Sequence, residues 1–129
     1  MRDEGGVDEM NAFIGLGAAA MFIGVALGAF GAHALKRKLS EDKLAVYQTG
    51  VLYQLVHGIG LLLIGVAGYF SDSDLLAPAG WLLAAGILLF SGSLYALSLS
   101  GIRKLGIVTP IGGLAFLAGW ALMAAAFWL

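Results

Sequence analysis

Four long apolar runs separated by short polar or charged breaks set the pattern of this chain. They cover residues 12–35, 44–70, 77–102 and 105–129. Each exceeds or matches the roughly 20 residues that carry an α-helix across the hydrocarbon core of a bilayer. The breaks are KRKLSEDK at 36–43, Ser71-Asp72-Ser73-Asp74, and Arg103-Lys104. Ser40 followed by Glu41 and Asp42 marks a helix start, because a hydroxyl cap and early acids satisfy the exposed N–H groups and the helix dipole. Pro78 fits the first turn of the third helix, and Thr109-Pro110 reads as a cap followed by proline at the first helical position of the fourth. Residues 1–11 (MRDEGGVDEMN) are acidic and glycine-containing and are expected to form a disordered tail. Breaks this short make consecutive helices antiparallel neighbours. The expected fold is all-α: an integral membrane up-down-up-down four-helix bundle over 12–129.

Composition supports that reading. Of the 129 residues 60% are hydrophobic and 12% charged, and mean hydropathy is +0.94; soluble domains carry about a quarter charged residues. A formal net charge of −1 leaves no field to recruit nucleic acid. With no cysteine, disulfides, thiolate catalysis and cysteine-ligated metals are excluded. Ala32-His33-Ala34 resembles a signal-cleavage site, but the acidic start and an apolar run of 24 residues (12–35) argue against a signal sequence.

Six of the seven basic residues lie at 36–43 and 103–104, whereas the tail and the 71–74 break hold six of the eight acids. The positive-inside rule therefore places the basic breaks in the cytoplasm and both termini outside a bacterial plasma (inner) membrane. His33, Lys36, Arg37 and Lys38 are expected at the cytoplasmic interface, as topology anchors beside lipid headgroups. Tyr69, Phe70, Trp81, Phe127 and Trp128 fall near the outer ends, where an aromatic belt sits.

Lipid tails are as apolar as leucine, so close backbone packing and interhelical hydrogen bonds must hold the helices together. Ala20, Gly24, Gly28 and Ala32 recur every fourth residue on the first helix, and Gly112, Ala115 and Gly119 form a similar strip on the fourth. Internal packing is the preferred reading of both, with dimerisation through the first helix as the alternative.

The second run is the most polar. At about 100° per residue, Tyr47, Gly50, Gln54, His57 and Leu61 fall within an arc of about 80°. Such a stripe is costly toward lipid and should face the bundle interior. The candidate polar site is Tyr47, Tyr53, Gln54 and His57 with Ser91, Ser93, Tyr95 and Ser98 of the third helix. In the structural reading His57 and Gln54 bond to Ser91, Tyr95 or Ser98 and fix register. In the functional one, His57 binds a proton or ligand at mid-depth. The first is preferred, because no acid or base accompanies His57 within the spans. His33 and His57 differ by about 17 Å in depth at 1.5 Å per residue, which argues against a shared metal or haem. No catalytic residue, metal or cofactor is expected.

Gly28-Ala29-Phe30-Gly31-Ala32-His33, Tyr53-Gln54 with His57, Phe90-Ser91-Gly92-Ser93-Leu94-Tyr95 and Thr109-Pro110-Ile111-Gly112-Gly113 occur in that order. In these four motifs the chain resembles the YgdD/YwdK-like family of small four-helix bacterial inner-membrane proteins, which has a eukaryotic transmembrane relative. The resemblance runs from about Met10 to the C-terminus and implies that residues 1–9 are either an extension or the product of a misplaced start. It brings no activity and hence no catalytic residue. The leading expectation is a non-enzymatic structural or accessory component in contact with membrane lipids, acting through a homo-oligomer or a membrane-complex partner. The alternative is a small transporter or channel with a polar interior around Gln54 and His57.

Overall fold

A computed structural model describes residues 2–129, and every regular element among them is helical. Helix α1 (Glu4–His33) leads through a 3-10 turn (Leu35–Arg37) to α2 (Glu41–Ala67). Helix α3 (Leu76–Gly86), a π-helical turn (Ile87–Ser91) and α4 (Gly92–Ser100) make one continuous span of 25 residues. A second 3-10 turn (Arg103–Ile107) enters α5 (Val108–Trp128).

Among the described residues four helices are thus long and apolar enough to cross a membrane, but their limits differ from the sequence expectation in instructive places. The tail expected over 1–11 is helical from Glu4 onward; Met1 lies outside the described residues. The Asp3 carboxylate caps it, accepting from the Gly6 N–H at 2.7 Å, and Glu4 sits favourably in the first turn. Met10 and Phe13 are fully buried, so the inward face of α1 reaches past the apolar run. The loop between α2 and α3 secures this end. The Arg2 guanidinium donates to the carbonyls of Gly68 (2.9 Å) and Ser73 (3.0 Å), the Trp81 indole donates to Glu9 (2.8 Å), and Tyr69 donates to Asn11.

Ser40 caps α2 through the Lys43 N–H at 3.2 Å, with Glu41 and Asp42 in the first turn. Thr109 does not cap α5, which begins at Val108. The preceding 3-10 turn feeds the helix directly, and Pro110 falls within the first turn, where its missing N–H has no intrahelical partner to lose. In the π turn the Gly92 N–H reaches back five residues to the Ile87 carbonyl. This one-turn widening presents the Phe90 backbone to Gly112 of α5, where any β-carbon would collide with it.

Helix α2 is central. Against α1, Gly17 lies on Gly58 and Leu62, Gly24 on Leu55, Gly28 on Val51 and Gly31 on Tyr47, a descending order that makes the pair antiparallel. Helix α5 runs antiparallel to the third span in the same way: Gly112 meets Phe90, Gly86 meets Phe116, and Gly119 meets Leu83. The buried ridge of α1 is Gly17, Gly24 and Gly31, while Ala32 is exposed and Ala20 half-buried. A four-residue repeat turns by about 40° per step, so Ala20 and Ala32 end roughly 120° apart; a seven-residue repeat drifts only about 20°. The packing strip is therefore spaced by seven, with Gly24 on it, Ala20 and Gly28 at its edge and Ala32 off it. On α5, Gly112, Phe116 and Gly119 are buried on the same rule.

Two apolar clusters occupy opposite ends of the bundle. Met10, Phe13, Leu61, Ile64, Leu76, Ala79, Leu83 and Phe116 form the larger, and Leu35, Tyr47 and Val51 the smaller. Between them lies a polar layer. Outward, Phe22 (78% exposed), Leu88 (75%) and Leu117 (68%) typify an apolar surface. Water does not tolerate such a surface on a monomer, and lipid does.

Candidate functional site: the polar layer around Gln54 and His57

The stripe on α2 supplies the layer. Tyr47, Gly50, Gln54, His57 and Leu61 are all buried. Gln54 joins three helices: its Nε2 donates to the Ala20 carbonyl of α1 at 2.9 Å, and its Oε1 accepts from the Tyr95 hydroxyl of α4 at 2.6 Å. Gly50 makes room for that approach, since a β-carbon there would stand 2.8 Å from the Tyr95 ring. The fully buried Ser91 hydroxyl donates to the Gly50 carbonyl at 2.7 Å. Tyr47 donates to the Leu27 carbonyl at 2.5 Å, and its ring lies 5.3 Å from that of Tyr95. A helix carbonyl has a second lone pair after its own helical bond, so these side chains bind neighbouring backbones without unwinding them.

The serines divide by role. Ser98 donates to the Tyr95 carbonyl of its own helix at 3.0 Å and crosses to no neighbour. Ser93 donates to the Phe90 carbonyl at 2.9 Å and lies 2.5 Å from the Thr109 hydroxyl. A hydroxyl has one proton, so Thr109 is the donor in that contact and links α5 to α4.

His57 departs from the sequence expectation. It bonds to none of Ser91, Tyr95 or Ser98; its Nδ1 lies 2.8 Å from the Tyr53 carbonyl of its own helix. Its ring stacks on Phe116 of α5 at a centroid distance of 3.5 Å and an interplanar angle of 11°. The reason is angular. His57 sits about 60° around α2 from Gln54 at 100° per residue, enough to aim it at α5 rather than α4. Tyr53 is 38% exposed and stands beside it, with its ring 4.4 Å from Phe90 and 5.8 Å from His57.

Two cavities open laterally between helices. One, about 410 Å³, lies between α1 and the third span, with Gln54 and Tyr95 among otherwise apolar walls. The other, about 530 Å³, lies between α2 and α5 and is lined by His57 and aromatic rings. Sequence reasoning missed Phe90, Phe116, Thr109 and the wall role of Trp120. Phe116 midway between Gly112 and Gly119 was the available signal, because it shares their face. His33, Lys36, Arg37 and Lys38 are all exposed at the end of α1 and do not join the layer. Among the described residues no three His, Cys, Asp or Glu side chains gather where a metal could bind.

A helical chain with four lipid-length apolar spans and an apolar exterior is an integral membrane protein. A family described as protein of unknown function (DUF423) matches residues 27–113. The UPF0382 membrane protein SH2409 of Staphylococcus haemolyticus is 49% identical, covering 88% of this chain and 93% of its own. The UPF0382 membrane protein YwdK of Bacillus subtilis is 46% identical over 91% of this chain and 96% of its own. The UPF0382 membrane protein SAB0533 of Staphylococcus aureus is 46% identical over 88% and 93%. No solved structure matches. The chain belongs to this family of small membrane proteins, whose biochemical role has no established description.

Proposed function

We propose that the protein is a non-enzymatic accessory component of the bacterial plasma membrane, with its basic loops in the cytoplasm and both termini outside. One observation carries the reading: every fully sealed side-chain nitrogen and oxygen among the described residues has a hydrogen-bond partner. Gln54, Tyr95, Tyr47 and Ser91 spend their bonds tying helices together. A conduit needs a file of polar groups free to exchange partners with a passing ion or solute, and these are committed to one another. A partner or second copy docks on the outer helix faces, because the Gly24 and Gly28 ridge is already occupied by α2.

Two measurements test this. In proteoliposomes the protein should pass no protons or small ions above the rate of empty vesicles, and His57→Ala should change nothing. Purified gently from its native membrane, it should run as a complex of fixed stoichiometry that Gly15→Leu or Gly92→Leu disperses; neither site has a neighbour within 4 Å for a new β-carbon. A saturable flux abolished by His57→Ala, with helicity and melting intact, would establish a transporter instead.

A further inference from the structure

The cavity between α2 and α5 holds polar groups that the bundle leaves unused. A carbonyl can only accept, so the 2.8 Å contact with Tyr53 makes Nδ1 of His57 the protonated nitrogen. In the neutral ring Nε2 is then a bare acceptor. His57 is only 5% exposed, yet among the described residues Nε2 has no partner and is not sealed; the residue opens onto the cavity. The Tyr53 hydroxyl, on the same wall, also makes no hydrogen bond among the described residues. Tyrosine normally sits at the membrane interface, where its hydroxyl meets water. Tyr53 lies instead near the middle of Glu41–Ala67, at about 18 Å from the start of the helix at 1.5 Å per residue.

The remaining wall is aromatic. Phe116 stacks beneath the imidazole, Phe90 lies 5.5 Å from Phe116, and Trp120 lies 5.8 Å from His57. Gly113 leaves the α5 side open, and the adjoining Leu114 is 66% exposed, so the mouth faces lipid rather than water. A cavity of about 530 Å³ suits one small ligand.

We propose that this cavity binds a neutral, lipid-dissolved phenol: a flat ring stacked among Tyr53, Phe90, Phe116 and Trp120, with its hydroxyl donating to His57 Nε2. Each feature of the ligand answers one of the site. Mid-membrane depth excludes a charged head, whose transfer there is costly. The acceptor requires a donor. The stacked aromatic walls select a ring, and the lateral mouth admits a molecule, or lets an alkyl tail trail, from the lipid phase. Nothing in this depends on the accessory role proposed above.

The test uses the whole protein in nanodiscs with its histidines labelled with 15N. The probes are 4-nonylphenol and its methyl ether, which has the same shape and no donor. The phenol should shift the His57 Nε2 resonance saturably and leave His33, exposed at the far end of α1, unmoved. Losing one hydrogen bond should make the ether bind about tenfold more weakly. Gly113→Leu should abolish the shift by filling the cavity. Its new β-carbon meets only Phe90, at 3.9 Å, so the bundle survives. A parallel titration with 4-methylphenol separates a free small phenol, bound as well as its nonyl analogue, from a tailed membrane molecule, bound more weakly without its tail. Equal affinity for phenol and ether, an unmoved Nε2, or an undiminished shift in Gly113→Leu would each overturn the proposal.

Discussion

Gly15→Ala and Gly17→Ala make the same chemical change two residues apart on α1, and the structure assigns them opposite signs. A β-carbon on Gly17 would stand 2.7 Å from the Gly58 carbonyl oxygen and 2.8 Å from the Leu62 backbone nitrogen. Both neighbours are helix backbone and cannot swing aside, so α1 and α2 must separate by several tenths of an ångström. Overpacking of this kind costs about 1–3 kcal/mol. A β-carbon on Gly15 meets nothing within 4 Å. Replacing a mid-helix glycine by alanine is otherwise worth about 0.5–1 kcal/mol, and that gain is common to both variants. The difference between them therefore isolates the clash. Gly15→Ala should be slightly more stable than the parent, and Gly17→Ala less stable than Gly15→Ala by about 1–3 kcal/mol. Reversible unfolding in mixed micelles, with detergent composition as the denaturant, gives both values on one scale. Equal stabilities would mean that α1 does not approach α2 along Gly17, and the seven-residue ridge would have to be abandoned.

Two further predictions concern the polar layer and the orientation. Gln54→Leu and Tyr95→Phe each break the 2.6 Å bond between α2 and α4; a double-mutant cycle should give a coupling of about 0.6 kcal/mol, the average for such bonds in membranes, and strict additivity would show the two groups to be independent. Because the chain has no cysteine, Asp74→Cys and Lys38→Cys report topology directly: in intact cells an impermeant thiol reagent should label the first and spare the second, and the reverse pattern would invert the proposed orientation.

The four spans were legible because an apolar run of membrane length has few other uses, and the stripe from Tyr47 to Leu61 because a period of 3.6 marks which side of a helix avoids lipid. Periodicity says which way a side chain points and nothing about what it meets. Gln54 and His57 fall within one arc, yet the 60° between them sends one amide to α1 and α4 and the imidazole to Phe116 of α5. The small residues of α1 misled for a related reason. A four-residue repeat is conspicuous in sequence, but two long antiparallel helices stay in contact only along positions spaced near 3.5, which selects Gly17, Gly24 and Gly31. The helical start at Glu4 escaped notice because Gly5, Gly6 and the acids of 1–11 carry no apolar period. What holds that segment is tertiary: Met10 in the core, Glu9 on Trp81 and Arg2 on the loop beyond α2.

The π turn is the hardest case, since no residue type encodes it. It follows from the demand that the Phe90 backbone touch Gly112 while Ser91 reaches Gly50 on the opposite side. A regular helix spaces adjacent residues by 100°, and the wider turn changes that angle locally. The third span thereby serves α2 with one residue and α5 with the next. That division also sets the Phe90 ring beside Tyr53 and Phe116, so the wall of the lateral cavity depends on a backbone irregularity that sequence pattern alone does not reveal.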